Sequence, residues 1–455
     1  MNAETHQEPE VTSAPDSLQV RAKKGLKKAL LVSAASKIVG FLLQFVTMPW
    51  VLNVLQGKLA LFGAANSLLG TVNTLNLGNG PGLLVILSKV EESQKDEECD
   101  WFWSSWWTNL LFAILLHSII VILLIAAPPT VLFGSAFSES GRAVVDVAFL
   151  ATGLSFASSL FLGIDQYYTA RLQDFKGRLG ALATFSLQIL LLVSFLQAWP
   201  SVFLVTLALL GSTLLVRPIQ AIFFFRDFPH LWRGFRWLKV PESKQLLAAN
   251  LAATVYMLSE MAWIAGATRI LGETTKETVA LAGILVGIAR VGGTIPEMIL
   301  APMVPAVRKT LLEGQTAWPR RVVIKSLGIL TAFSAGLALL GLVAAQPVLS
   351  IMFPDYEITW PIAMSALALG LGLLFEGAAR NLVNVTADLW WFGYVSLGKA
   401  ALQVVLMLAW LGPYGLAGVL NALALGAFAF FLVSLIRFRF EARRIAASAL
   451  AAEPG

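Results

Sequence analysis

Long apolar stretches alternate with short polar connectors along almost the whole chain. A helix needs about 20 apolar residues to cross the hydrocarbon of a bilayer, and the stretches reach that length. The pattern therefore predicts an all-α polytopic membrane protein with about twelve transmembrane helices, here called spans 1–12. Their predicted bounds are 29–52, 59–87, 101–125, 142–166, 179–198, 201–225, 245–270, 278–303, 322–345, 360–383, 389–411 and a last stretch that ends near Ile436.

Lys and Arg are concentrated in every second connector. Cytoplasmic loops carry such an excess, so the alternation predicts a multi-pass protein of the inner or plasma membrane with both termini in the cytoplasm. The apolar run of span 1 lies too far from Met1 for a secretory signal, so we expect span 1 to be retained. The predicted organisation is a disordered cytoplasmic tail (1–20), a six-helix lobe (21–225), a basic cytoplasmic linker (226–244), a second six-helix lobe (245–440) and a cytoplasmic tail (441–455).

Composition agrees with a membrane protein. Hydrophobic residues make up 57% of the chain and charged residues 13%, whereas soluble domains carry about 25% charged residues. The net charge of +6 arises in the inner connectors, which indicates attraction to anionic lipid rather than to nucleic acid. The single Cys99 excludes an intramolecular disulfide and a Cys-rich metal site, and we expect no cofactor.

A weak internal repeat relates the two halves. An even number of spans in each half predicts a parallel repeat, with its axis along the membrane normal. Adding 215 to a residue number places glycine on glycine and proline on proline at three sites, namely Gly57 on Gly272, Gly78 on Gly293 and Pro81 on Pro296.

Span 1 carries a row of polar and small residues at helical spacing. An ionisable group at membrane depth usually faces a cavity or a partner, so Lys37 is a functional candidate. The alternative is that Lys37 extends to the inner surface, although it lies about nine residues, or roughly 13 Å, inside the span. The residues on this face are Ser33, Lys37, Gly40, Gln44 and Thr47.

Span 2 contains Gly78, Gly80 and Pro81, which disfavour a regular helix. Broken backbone at membrane depth is tolerated only where it is buried or lines water. These residues, together with Pro296 in span 8, predict hinges. A phosphate cradle of free N–H groups is the alternative for span 2, although the Lys of a P-loop is missing.

The second half carries ionisable residues near mid-span. Glu260, Arg290 and Glu297 fit either a structural ion pair between helices or a role in transport. Glu376 and Arg380 are four residues apart, which predicts an i,i+4 pair at the inner interface. Secondary candidates near inner ends are Lys399, Arg217 and Asp165, and the mid-span His117 is interpreted as a hydrogen-bonded packing residue.

The start of the chain resembles the polysaccharide-flippase branch of the multidrug/oligosaccharidyl-lipid/polysaccharide (MOP) exporter superfamily. The resemblance covers about the first 90 residues, and the six-plus-six topology extends it loosely over the rest. It is carried by a basic cluster followed by Lys37-Ile38-Val39-Gly40-Phe41, Phe45-Val46-Thr47-Met48-Pro49, Phe62-Gly63 and Leu77-Gly78-Asn79-Gly80.

The resemblance implies two lobes around a central cavity and alternating access. It implies that an undecaprenyl-diphosphate-linked oligosaccharide is moved from the inner to the outer leaflet. Lys37, Gln44 and Arg290 would then bind the diphosphate, while Glu260 or Glu297 would bind a coupling proton or sodium ion. The expected state is a monomer in the lipid bilayer, with a polysaccharide polymerase as the protein partner to consider.

Three other functions are weighed against this one. A MATE-type multidrug exporter of organic cations would belong to the same superfamily. Its cavity would have to bind a cation, and the buried positive charges of Lys37 and Arg290 disfavour such binding. A major-facilitator carrier is disfavoured because the connector 88–100 lacks a Gly-x-x-x-Asp-Arg-like motif. A membrane-embedded polysaccharide polymerase or ligase needs a large outer loop, and no catalytic constellation appears in the sequence, so we expect no enzyme.

Overall fold

A computed structural model describes residues 28, 31–55, 81–87, 90, 93–135, 141–161, 163–171, 173–314, 317–354, 356–386 and 389–451. The predicted tail 1–20 and the candidates Gly78 and Gly80 lie outside these residues, as do the side chains of Gln44, Pro81 and Glu297. The first-half positions of the proposed repeat (Gly57, Gly78 and the side chain of Pro81) therefore lie outside the described residues.

The first half, up to the basic linker, is a series of helices. Span 1 is helical from Leu31 to Val54 but contains a five-residue π-helical segment between two α-helices. At the end of this segment, Thr47 Oγ1 donates to Leu42 O at 3.4 Å. The elements are α1 (Leu31–Leu42), the π segment (Leu43–Thr47), α2 (Met48–Val54), α3 (Pro81–Leu87), α4 (Lys95–Ala126), α5 (Pro129–Phe133), α6 (Gly141–Ser159), α7 (Ile164–Ala170), α8 (Asp174–Ala198), α9 (Val202–Asp227) and α10 (Pro229–Arg233).

The second half continues in the same way. Its last helix bends at Gly415, where φ is +55°, next to Pro413, so it comprises two membrane-crossing parts. The predicted turn between spans 11 and 12 falls at this bend. The elements are α11 (Val240–Leu271), α12 (Lys276–Ile299), a 3₁₀ turn (Ala301–Met303), α13 (Val304–Leu312), α14 (Ala317–Met352), α15 (Trp360–Thr386) and α16 (Leu389–Ala451).

Eight described helices are long and apolar enough to cross a membrane. They are α4, α6, α8, α9, α12, α14, α15 and α16. The helix α11 covers the predicted span 7 but is less apolar than these eight. The predicted all-α membrane fold is confirmed.

Several predicted boundaries are wrong. Span 4 is not one helix, because Gly163 adopts a left-handed φ of +96° and separates α6 from α7. The connector before span 3 is partly helical, since α4 begins at Lys95 with three acidic residues in its first turn, which favour a helix N-terminus. Pro296 lies within α12, shortly before the 3₁₀ turn, and its role as a hinge stays a prediction.

Helices of the second half pack closely around α15. This helix contacts α12, α14 and α16, while α11 packs along α16. Glycines allow the closest approach: a Cβ at Gly292 would collide with the carbonyl of Gly370, and a Cβ at Gly377 would meet that of Gly293 at 2.5 Å. Small residues at helix crossings bring backbones together in this way.

The two halves meet mainly through α11 and the outer connectors. The helix α11 packs against α3, α4 and α5, and the π segment contacts α12. At the predicted outer side, a Cβ on Gly272 would collide with the Phe133 carbonyl, and Gly134 beside it has a φ of +97°. Ser135 Oγ donates to Glu273 Oε2 at 2.9 Å across the same contact, here called the outer contact.

Candidate functional site

Three helices bring two carboxylates and one ammonium together within the second half. Glu260 lies on α11, Glu376 on α15 and Lys399 on α16, and all three are buried. Lys399 Nζ donates to Glu260 Oε1 and, at 2.7 Å, to Glu376 Oε1. These three side chains are called the buried triad below.

Two guanidinium groups border the buried triad. Arg380 lies one turn after Glu376 on α15, and its Nη2 is 3.8 Å from Glu376 Oε1. The same guanidinium lies over the Tyr256 ring, with its Cζ 5.1 Å from the ring centroid. The Arg290 guanidinium lies over the Trp263 ring, at 5.6 Å from the centroid. Aromatic faces stabilise cations in this geometry and replace part of their lost hydration.

The charges of this region do not cancel. Among the described side chains, Lys399, Arg290 and Arg380 are cationic and Glu260 and Glu376 oppose them, so three positive charges face two negative ones. Buried charges need partners, and both carboxylates have one. However, Glu376 Oε2 is buried and accepts no hydrogen bond from any described residue.

The sequence identified part of this site. Glu260 and Arg290, which the sequence analysis names as ionisable residues near mid-span, lie at or beside the buried triad. The predicted i,i+4 pair of Glu376 and Arg380 is present. Glu376 is 1% exposed and its nearer partner is Lys399, while the placement of the pair at the inner interface stays a prediction. Lys399, ranked as secondary from the sequence, is the centre of the site.

The other candidates lie elsewhere. Lys37 is a partly exposed residue of α1, which packs against α8 with Gly40 beside Phe185. Asp165 and Arg217, both secondary candidates, pair with each other at 2.5 Å and share Gln220 as a partner. His117 Nδ1 contacts the carbonyl of Ala113 at 2.7 Å, in keeping with a packing role.

No group of three or more His, Cys, Asp or Glu side chains suited to a metal ion occurs among the described residues.

Comparisons with solved structures define the class of fold. The outward-facing conformation of a multidrug resistance MATE family transporter of the MOP superfamily matches with a TM-score of 0.70 and 15% identity, over 95% of this chain and 97% of that one. A MOP superfamily transporter from Pyrococcus furiosus, described as having a binding pocket of reverse polarity, matches with a TM-score of 0.69 and 16% identity, over 94% and 96%. The Vibrio cholerae MATE transporter VcmN in its bent form matches with a TM-score of 0.66 and 15% identity, over 94% and 99%.

This chain therefore has the fold of these MATE transporters, and eight helices of its described residues are long and apolar enough to cross a membrane. No protein-family model and no curated protein matches the sequence. The likeness is one of fold, and the polysaccharide-flippase branch of the predicted resemblance stays a prediction.

Proposed function

We propose that this protein is a proton-coupled secondary transporter in which the buried triad is the coupling site. The observation that carries the proposal is the double engagement of Lys399 by Glu260 and Glu376 from three different helices. Protonation of Glu376 at Oε2 would neutralise one of the two counterions of Lys399 while Oε1 could still accept its hydrogen bond. Glu260 would then be the one remaining counterion of the ammonium within the triad, and the attraction between α15 and α16 would weaken.

The geometry supports a proton rather than a sodium ion as the coupling cation. A sodium ion needs several oxygen ligands, and one oxygen of each carboxylate, Oε1 of Glu260 and Oε1 of Glu376, accepts from the Lys399 ammonium. Of the two other carboxylate oxygens, Glu376 Oε2 has no hydrogen-bond partner and can accept a proton without any displacement of Lys399.

The fold supports export of an organic solute, as in a MATE-type exporter. The excess positive charge around the triad is unfavourable for an organic cation and favours an anionic substrate. The same observation keeps the lipid-linked saccharide diphosphate as a second candidate substrate, with Lys37, Gln44 and Arg290 as proposed contacts and a role in leaflet transfer.

The coupling is tested in liposomes that contain the full chain and an internal pH-sensitive dye. A pH gradient is imposed, and a fluorescent organic cation, a fluorescent organic anion or a labelled lipid-diphosphate oligosaccharide is supplied. We expect substrate movement to be accompanied by proton flux, and we expect Glu260→Gln and Glu376→Gln to reduce the coupled flux at least about tenfold. Glu313→Gln, which changes an exposed carboxylate in the turn after α13, serves as the matched control.

The results separate the alternatives. Transport driven by a sodium gradient without proton flux would contradict the proton, and wild-type flux in Glu376→Gln would contradict the assigned site. Movement of the organic cation alone would favour a multidrug exporter, whereas movement of the lipid-linked probe alone would favour a flippase.

A further inference from the structure

The segment that joins the two halves, residues 228–239, is attached along one side to the beginning of α4. Trp103 Nε1 donates to Leu231 O at 2.9 Å, and Trp107 Nε1 donates to Arg236 O at 3.2 Å. The Arg236 guanidinium also pairs with Asp100 at 2.5 Å. This segment, called the connecting strap, is therefore held in a fixed position on the first half.

The opposite side of the connecting strap is aromatic and basic. Trp232 is 65% exposed and Trp237 is 73% exposed, although each ring packs on one face against Phe225 or Trp107. The side chain of Arg233 is exposed beside them, and so is that of Arg226 on the last turn of α9. In the described part of the chain, neither of these two guanidinium groups forms an ion pair.

The position of the strap restricts what can cover this side. The helix α9 ends at Asp227 and α11 begins at Val240, so the strap lies where two membrane-crossing helices leave the bilayer. The alternation of basic connectors puts that boundary on the cytoplasmic side. Tryptophan rings favour the level of the lipid headgroups, and guanidinium groups bind phosphate in a bidentate manner.

We propose that the connecting strap is a binding site for anionic phospholipid headgroups of the inner leaflet. Arg226 and Arg233 bind the phosphate groups, while Trp232 and Trp237 lie at the level of the headgroups. The attachment to α4 holds the backbone of the strap in place, so that little of its backbone freedom is lost on binding. This proposal concerns a surface away from the buried triad and does not depend on the proposed transport.

The test uses the full chain in a neutral detergent with one reporter cysteine. Cys99→Ser removes the only native thiol, and Leu238→Cys, an exposed position on the strap, carries an environment-sensitive fluorophore. Phosphatidylglycerol, phosphatidylcholine and soluble glycerol phosphate are titrated separately. We expect a spectral shift with phosphatidylglycerol alone, and a weakening of about tenfold in Arg226→Gln/Arg233→Gln.

The matched control is Arg320→Gln/Arg321→Gln, which removes the same charge from an exposed inner position at the start of α14. The control should keep the wild-type midpoint. Equal midpoints in the two double variants, or equal responses to phosphatidylglycerol and phosphatidylcholine, would overturn the proposal. If glycerol phosphate gives the same response as the lipid, the ligand is a soluble phosphate and not a lipid headgroup, and the proposal is overturned.

Discussion

At the residue scale, Lys399 is the group that joins the two carboxylates of the buried triad. Its ammonium is buried against two carboxylates from other helices, and the ring of Phe430 lies 5.4 Å below it. Burying an ion pair is costly, but removal of one partner costs more, because the remaining charge has no counterion. The stability of the second half should therefore depend on Lys399 more than on any exposed lysine.

Lys399→Met is expected to destabilise the protein by about 3–5 kcal/mol, because two carboxylates then remain buried without their cation. Thermal unfolding in detergent measures the effect. Lys309→Met, at an exposed position of α13, should leave the midpoint unchanged, and Lys399→Met/Glu376→Gln should recover part of the loss. A midpoint for Lys399→Met equal to the wild type would show that Lys399 carries no net interaction.

The sequence could reveal the members of this site but not their pairing. Glu260 and Arg290 stand out because charged residues are rare at mid-span. The spacing of Glu376 and Arg380 along one helix reveals a local pair. By contrast, the contact of Lys399 with Glu260 joins residues 139 positions apart, and only the packing of α11 and α15 on α16 creates it.

At the element scale, α4 extends past the membrane boundary and holds the connecting strap through a buried carboxylate. Glu98, in the first turn of α4, accepts from Tyr167 at 2.8 Å and lies 2.9 Å from His230 Nε2, and it also pairs with Arg171. Burial, together with the nearby Lys95 and Arg171, holds the pKa of His230 below its ordinary value of 6.5.

Acidification should weaken this attachment. The unfolded chain binds a proton at His230 more readily than the folded chain, so stability is complete above about pH 6.5 and falls as the pH drops below that value. The unfolding midpoint should fall by about 2 °C more in the wild type than in His230→Gln between pH 7.5 and 5.5. His6→Gln should retain the wild-type slope, and an equal slope in His230→Gln would refute the assignment.

Hydrophobic patterning predicts the membrane helices well where an apolar stretch alone defines their length. It predicts them less well where a single residue interrupts a helix or polar residues extend it. Span 4 was predicted as continuous because Gly163 is inconspicuous within an apolar run, yet its left-handed backbone divides the helix. The extension of α14 to Ala317–Met352 includes polar residues that hydropathy alone would place in connectors.

At the scale of the whole molecule, the two lobes touch at the outer contact, where main chain meets main chain. The largest buried apolar cluster also draws on outer parts of both halves, including Phe133, Val144, Leu271 and Val279. Glycine at 134 and at 272 is required there, because side chains would separate the lobes. If the lobes alternate in access, as the predicted resemblance implies, we expect this contact to break during each cycle.

Ser135→Cys/Glu273→Cys in a Cys99→Ser background tests whether the outer contact opens during transport. Oxidation to a disulfide should reduce transport at least about tenfold, and a reductant should restore it, since a closed link prevents the lobes from separating. Liposome transport under both conditions is the measurement, with each single cysteine as a control. Full transport by the completely oxidised pair would mean that the outer contact stays closed throughout the cycle.

The π segment of span 1 gives this helix an unusual freedom. A π turn holds one residue more than an α turn, so tightening Leu43–Thr47 into α geometry would rotate everything beyond it by about 100° around the helix axis. The inner portion, with Lys37, would keep its orientation. Since the π segment contacts α12, such a rotation would present a different set of side chains to the helix that carries Arg290. Any change between π and α geometry at Leu43–Thr47 would therefore turn the outer part of span 1 relative to its inner part.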